Sequence, residues 1–159
     1  MEINIREYQK PDKNELIRLM AFLQDFEHHV EPEFLDKGLE VATELVQILL
    51  NDADEKNGKI LFAEVNGKIV GFVSGHVSDE VELKEKKYFY ISNLAILPEF
   101  QNHGIGKMLL EKIVEYADNL GLKLIEINVL NKNAVAFEIY KKIGFREYEK
   151  VLIKEVNKK

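Results

Sequence analysis

Gln101, Gly104 and Gly106 are the residues whose types and spacing come nearest to chemistry. They stand in Leu94-Ala95-Ile96-Leu97-Pro98-Glu99-Phe100-Gln101-Asn102-His103-Gly104-Ile105-Gly106-Lys107, where an apolar strand pattern passes through a proline-containing loop into a helix pattern. Glycine lets backbone amides approach a ligand closely, and a helix N-terminus favours negative charge. Together they make a cradle for phosphate. A magnesium-binding P-loop needs Gly-x-x-x-x-Gly-Lys followed by Ser or Thr. Here Gly106-Lys107 is followed by Met108, and position 101 holds glutamine. A dinucleotide fingerprint needs a third glycine three residues after the second, and Leu109 stands there.

A second segment, Asn133-Ala134-Val135-Ala136-Phe137-Glu138-Ile139-Tyr140-Lys141-Lys142-Ile143-Gly144-Phe145, places an asparagine, a phenol and a lysine at fixed offsets on a helix pattern. Between the two segments the strand pattern offers Glu126 and Asn128, which share one face because strand side chains alternate. The strand before the loop offers Ser92 and Asn93 and no acid. His28 and His29 lie beside Glu27 and Glu31, and read first as a solvated helix end. His76 alternates with Ser74 and Phe72 and reads as structural, and His103 fills a variable place in the loop.

Gln101-x-x-Gly104-x-Gly106 resembles the Gln/Arg-x-x-Gly-x-Gly/Ala pyrophosphate loop of the GNAT superfamily of N-acetyltransferases. The second segment resembles that superfamily's Asn-x-x-Ala-x-x-x-Tyr-x-Lys-x-Gly-Phe. Asn133, Tyr140, Lys142, Gly144 and Phe145 are in place, and the alanine is displaced to 134 or 136. The two signatures cover the C-terminal half; the N-terminal half agrees in element order only. The resemblance implies an α/β fold with a mixed, mostly antiparallel sheet and a splayed parallel strand pair. It implies acetyl-CoA as acyl-donor substrate and no metal. Backbone groups of Leu94, Ala95 and Ile96 would pair with pantetheine as an added strand does. Gln101 and the amides of Asn102, His103, Gly104, Ile105, Gly106 and Lys107 would surround the pyrophosphate, with Lys142 a further phosphate contact. Asn133 would bond near the pantetheine.

In such an enzyme the acyl group passes directly from thioester to amine. Tyr140 takes the general-acid position beside the leaving thiolate, and Glu126 is the candidate base, directly or through water. Phe26, Glu27 and His28 fall where the family shapes its acceptor pocket. Position 128 carries glutamate in some protein N-terminal acetyltransferases, and the asparagine here departs from them. The acceptor implied is an amine on a small molecule, polyamine, amino sugar or peptide. The alternative is an acetyl-CoA-binding sensor without turnover. Homodimers are common in the family.

These groups need elements to hold them. Alternation marks a strand from Ile3 to Tyr8. Pro11, Asp12 and Glu15 mark a helix start, and Leu16, Leu19, Met20, Leu23 and Phe26 follow at helical spacing. A second helix is expected from about Glu33 to Leu50. Asn66-Gly67 is a hairpin signal between strands Lys59 to Val65 and Lys68 to about Val77. Strands follow at Tyr88 to Ile96 and Lys123 to Val129, with helices at Gly104 to Leu120 and Asn133 to Ile143, and a last strand region at Phe145 to Val156. The expected order is β-α-α-β-β-β-α-β-α-β, in one domain over 1–159, with a frayed tail from Val156 to Lys159.

Bulk properties narrow the classes. The chain has 159 residues, 46% of them hydrophobic, with a formal net charge of −6 and no cysteine. Disulfides and thiolate chemistry are therefore excluded. The charge disfavours nucleic acid as a partner and accords with a cationic acceptor. No apolar run nears the about 18 residues of a membrane span, and the first residues read as a strand rather than a signal peptide. A cytoplasmic protein is the expectation.

Overall fold

The computed structural model describes residues 1–156; of the expected frayed tail, 157–159 lie outside the described residues. Five strands form one sheet in chain order: β1 (Ile3–Glu7), β2 (Lys59–Val65), β3 (Lys68–Asp79), β4 (Lys87–Ile96) and β5 (Ile125–Ile127). The first four pair antiparallel, and β4 and β5 pair parallel. Asn66 and Gly67 both adopt positive φ, 49° and 80°, as a two-residue hairpin between right-twisted strands requires.

Helices cover both faces. Along α1 (Lys13–Val30), Leu16, Leu19, Met20 and Leu23 recur every three or four residues and are buried. They pack with Ala42, Val46 and Leu49 of α2 (Leu39–Glu55) onto Phe62 and Phe72. On the opposite face Ile105, Leu109, Leu110, Ile113 and Ala117 of α3 (Ile105–Asn119) pack onto Val73, Phe89 and Ile91. Tyr140 and Ile143 of α4 (Ala134–Ile143) join that second core from the sheet's edge. Each fully buried Leu, Ile, Val, Met or Phe among them contributes about 1.5–3 kcal/mol through burial. No helix among the described residues is long and apolar enough to cross a membrane.

Ser92 is an extra residue in β4. Asn93 stands opposite Ser74 and Ile91 opposite Gly75, so the ladder shifts there. Before the bulge Phe89 and Ile91 face α3; after it Leu94 and Ile96 do, while Ala95 and Leu97 face α1 and α2.

The entry into α1 is held by an ionic knot. Arg6 of β1 donates to Asp12 at 2.7 and 3.1 Å and to Glu64 of β2 at 2.6 Å. The Arg6 hydrogen bond holds the Asp12 carboxyl below its ordinary range. A carboxyl depressed in the folded state stabilises above its unfolded pKa, and that stability is lost as pH falls through the folded value. Arg6→Met is therefore expected to lower stability in urea by about 1–3 kcal/mol near neutrality, with a smaller difference from the parent below about pH 3.

Four expectations need correction. Asp12 does not cap α1 with its side chain; the carboxylate turns to Arg6 and to the Gln9 amide. The helix expected from Glu33 begins at Leu39 and runs to Glu55. Residues 32–34 form a turn, tied by His28 Nδ1 to the Leu35 carbonyl at 2.6 Å, and Gly38 enters the helix at φ 100°. The strand expected over Lys123 to Val129 is ordered as a ladder only at Ile125–Ile127. The expected order ends at α4, because among the described residues 145–156 carry no strand. Val151, Leu152 and Ile153 favour a strand by type but are 84%, 92% and 66% exposed, and propensity without a partner ladder does not make a strand.

Candidate functional site

Past Ile96 the chain takes a short turn over Pro98–Phe100, and Gln101 reaches back so that its Nε2 donates to the Ile96 carbonyl at 2.9 Å. Asn102 and Gly104 then take left-handed φ of 63° and 79°. The first helical bond of α3 runs from Met108 N to Gly104 O. The amides of Ile105, Gly106 and Lys107 are therefore left without helical partners. A Cβ on Gly106 would lie 3.1 Å from Ile96 Cδ1, so glycine here lets α3 sit closely against the end of β4.

The pairing of β4 with β5 stops at Ile91 opposite Ile127, and Ser92 to Ile96 have no β5 partner. Leu97 N donates to Val70 O on the β3 side. Alternation along the strand turns the peptide groups of Ile96 and Leu94 the other way, toward the fork between β4 and β5. An open strand edge thus leads directly into a loop of free amides. These groups fit an extended amide-bearing chain that ends in a pyrophosphate, the shape of pantetheine and its phosphates.

The bulge at the fork is pinned from beneath. Ser74, 1% exposed, contacts Ser92 Oγ at 3.0 Å and donates to Asn93 Oδ1 at 3.1 Å. Its single proton goes to Asn93, so it accepts from Ser92. Ser74→Ala is expected to cost about 1–3 kcal/mol of stability, measured in urea, as the bulge relaxes.

Around the fork stand two phenols and two carboxylates. Tyr140, on α4, packs its ring edge-on against Phe145 with centroids 6.0 Å apart. Burial, with Glu27 adding, pushes its hydroxyl up to about 12. Glu27, in the last turns of α1, accepts from Gln24 Nε2 at 3.0 Å, and burial raises its carboxyl. Tyr90 of β4 accepts from Asn128 Nδ2 at 3.1 Å; burial raises its phenol, with Glu126 and Glu27 both contributing. Glu126 lies beside Tyr90 in the ladder, raised by burial and by Glu80 and Glu149. Sequence reasoning passed over Tyr90 and Gln24. Helical spacing from Gln24 to Glu27 and the place of Tyr90 one alternation before Ser92 were the available signals.

The remaining candidates are dispersed. Asn133 Oδ1 caps α4 by accepting from Ala136 N at 3.2 Å. Lys142 and His103 are exposed, and Lys107 pairs with Glu111 at 3.6 Å. Phe26 is exposed, while His28 holds the Leu35 carbonyl beside Glu27. His76 lies against Tyr90 with centroids 5.6 Å apart and 3.7 Å from Asp52, away from the loop.

Residues 19–145 match the profile described as the Acetyltransferase (GNAT) family. An N-acetyltransferase of Methanocaldococcus jannaschii is 38% identical over 88 residues, 55% of this chain and 39% of that protein. The ribosomal protein bS18 alanine N-acetyltransferase of Escherichia coli is 32% identical over 82 residues, 52% of this chain and 51% of that enzyme. The chain thus spans only about half the length of such relatives. Among solved structures, a tetramutant protein of Bacillus halodurans superposes with TM-score 0.78 at 22% identity, covering 96% of this chain and 99% of that one. Aminoglycoside N-acetyltransferase AAC(6')-Iy in complex with CoA gives 0.73 at 15% identity, covering 98% and 95%. At these identities the structures attest the fold.

Proposed function

The chain belongs to the GNAT acetyltransferase family, and we propose from that premise that it transfers an acetyl group from acetyl-CoA directly to an amine. One observation carries the reading: the edge of β4 from Ser92 to Ile96, which has no β5 partner, runs into the free amides at the start of α3. Leu94 and Ile96 would bond the pantetheine arm, and Gln101 would hold the turn into the loop. The amides from Asn102 to Lys107 would receive the pyrophosphate, whose charge the helix N-terminus favours. The thioester would then sit at the fork, beside Tyr140. An amide near Ile96 could polarise its carbonyl.

Tyr140 would protonate the departing thiolate. An ammonium has no lone pair, so a base must first take its proton, and Glu126 and Glu27 are the carboxylates at hand. The acceptor is a cationic amine of the kinds on which relatives act, an aminoglycoside or a peptide that begins with alanine, or a polyamine.

Calorimetric titration with acetyl-CoA, followed by a thiol-release assay on kanamycin, spermidine and an alanine-initiated peptide, tests the reading. Binding and release with one acceptor are expected. Binding without release would turn the reading to an acetyl-CoA sensor, and failure to bind would overturn the assignment of the loop.

A further inference from the structure

We infer that Glu27 is the general base, taking the proton from the acceptor ammonium on the side of the thioester opposite Tyr140. The inference rests on the acetyl-transfer reading above and assigns the one catalytic role that the sequence motifs leave open.

Three features of the fold converge on it. The first is position. The end of α1 closes over the fork, because Glu31, one turn beyond Glu27, pairs with Lys132 of the β5–α4 connection at 3.0 Å. Glu27 thereby lies near enough to Tyr140 of α4 and Tyr90 of β4 for its charge to act on both phenols.

The second is orientation. Gln24 is 8% exposed, and its amide holds Glu27 Oε2. Among the described residues Oε1 has no hydrogen-bond partner, so one carboxylate oxygen is fixed and the other is free to accept. The side chain of Glu126, the rival, has no hydrogen bond among the described residues and shares its surroundings with Glu80 and Glu149. A catalytic base works best when its rotamer is locked.

The third is basicity. Burial raises the Glu27 carboxyl from its ordinary value, in the direction of the operating pH, where a general base is most effective. Glu27 and Tyr140 then divide the work as a base and an acid in one site.

The protons balance. The ammonium gives one proton to Glu27, and the freed nitrogen lone pair forms the N–C bond as the thioester carbonyl opens. On collapse the C–S bond breaks as Tyr140 donates its proton to the departing sulfur. The second proton on nitrogen restores the phenol, and Glu27 returns its proton to water.

The base form exists above the raised pKa of Glu27, so activity falls as pH drops through it. The test is kcat/KM against pH for the parent, Glu27→Gln and Glu126→Gln, using whichever of kanamycin, spermidine and the alanine-initiated peptide releases thiol, with acetyl-CoA binding measured alongside. Glutamine keeps a side-chain oxygen for Gln24. In Glu27→Gln, kcat is expected to fall on the order of 100- to 10,000-fold at neutral pH with acetyl-CoA affinity kept. The acid limb should be replaced by a tenfold rise per pH unit up to the pKa of the free amine. A parent-like profile in Glu27→Gln, or loss of the limb in Glu126→Gln instead, would overturn Glu27 and leave acetyl transfer standing. A parent that releases thiol with none of the three acceptors would overturn both.

Discussion

Tyr140→Phe is expected to lower kcat about 100- to 10,000-fold and to leave the acetyl-CoA Kd unchanged by calorimetry. The fold should survive, because the ring keeps its edge-on contact with Phe145 and among the described residues the hydroxyl has no hydrogen-bond partner to lose. The hydroxyl sits at about 12 because burial and Glu27 oppose a phenolate. It is therefore protonated throughout the working range, ready to donate, and contributes no alkaline limb below about pH 12. The same elevation sets a constraint. A thiolate whose conjugate acid lies near 8.5 is a weaker base than the phenolate by about 3.5 pH units, or roughly 5 kcal/mol. Transfer after the thiolate has left would be uphill by that amount, so donation must accompany C–S cleavage. Unchanged turnover in the variant would remove Tyr140 from the mechanism.

The second large effect is expected on binding. In Gly106→Val the Cβ would lie 3.1 Å from Ile96 Cδ1, and its two methyls would stand over the amides that begin α3. Acetyl-CoA affinity is expected to fall on the order of 100-fold, equivalent to about 2.7 kcal/mol. Melting temperature should fall only slightly, since Gly106 is partly exposed and Ile96 is at the edge of its core. Parent-like acetyl-CoA titration by the variant would remove this loop from the binding site.

The parts of the site legible in the sequence are those encoded by backbone geometry. Gly104 and Gly106 are glycines for local reasons, a left-handed φ and a close approach to Ile96, so their spacing alone announces the loop. The Asn66-Gly67 hairpin was readable for the same reason. What eluded sequence reasoning depends on partners distant along the chain. The α2 start moved because His28 holds the Leu35 carbonyl, a contact no local pattern encodes. Asp12 has the type of a helix cap, but Arg6 of β1 claims it. The segment Phe145 to Val156 has strand-forming residues, yet a strand exists only with a neighbour, and β5 is three residues long. Glu27 was an acceptor-side candidate in the sequence; the reach of its charge to Tyr90 and Tyr140 joins three elements far apart in sequence.

The bulge at Ser92 acts as a phase switch for anyone who would redesign this sheet. A strict polar–apolar alternation written along β4 would be in step up to Ile91 and out of step from Asn93 onward, directing Leu94 and Ile96 to the wrong side. Deleting Ser92 itself would leave Asn93 opposite Ser74 and Leu94 and Ile96 on the α3 side, and would remove only the irregularity. A residue added or removed between Asn93 and Ile96, by contrast, would turn the side chains that follow it to the other face. Grafting this fork onto another scaffold means transplanting the odd residue along with the edge it exposes.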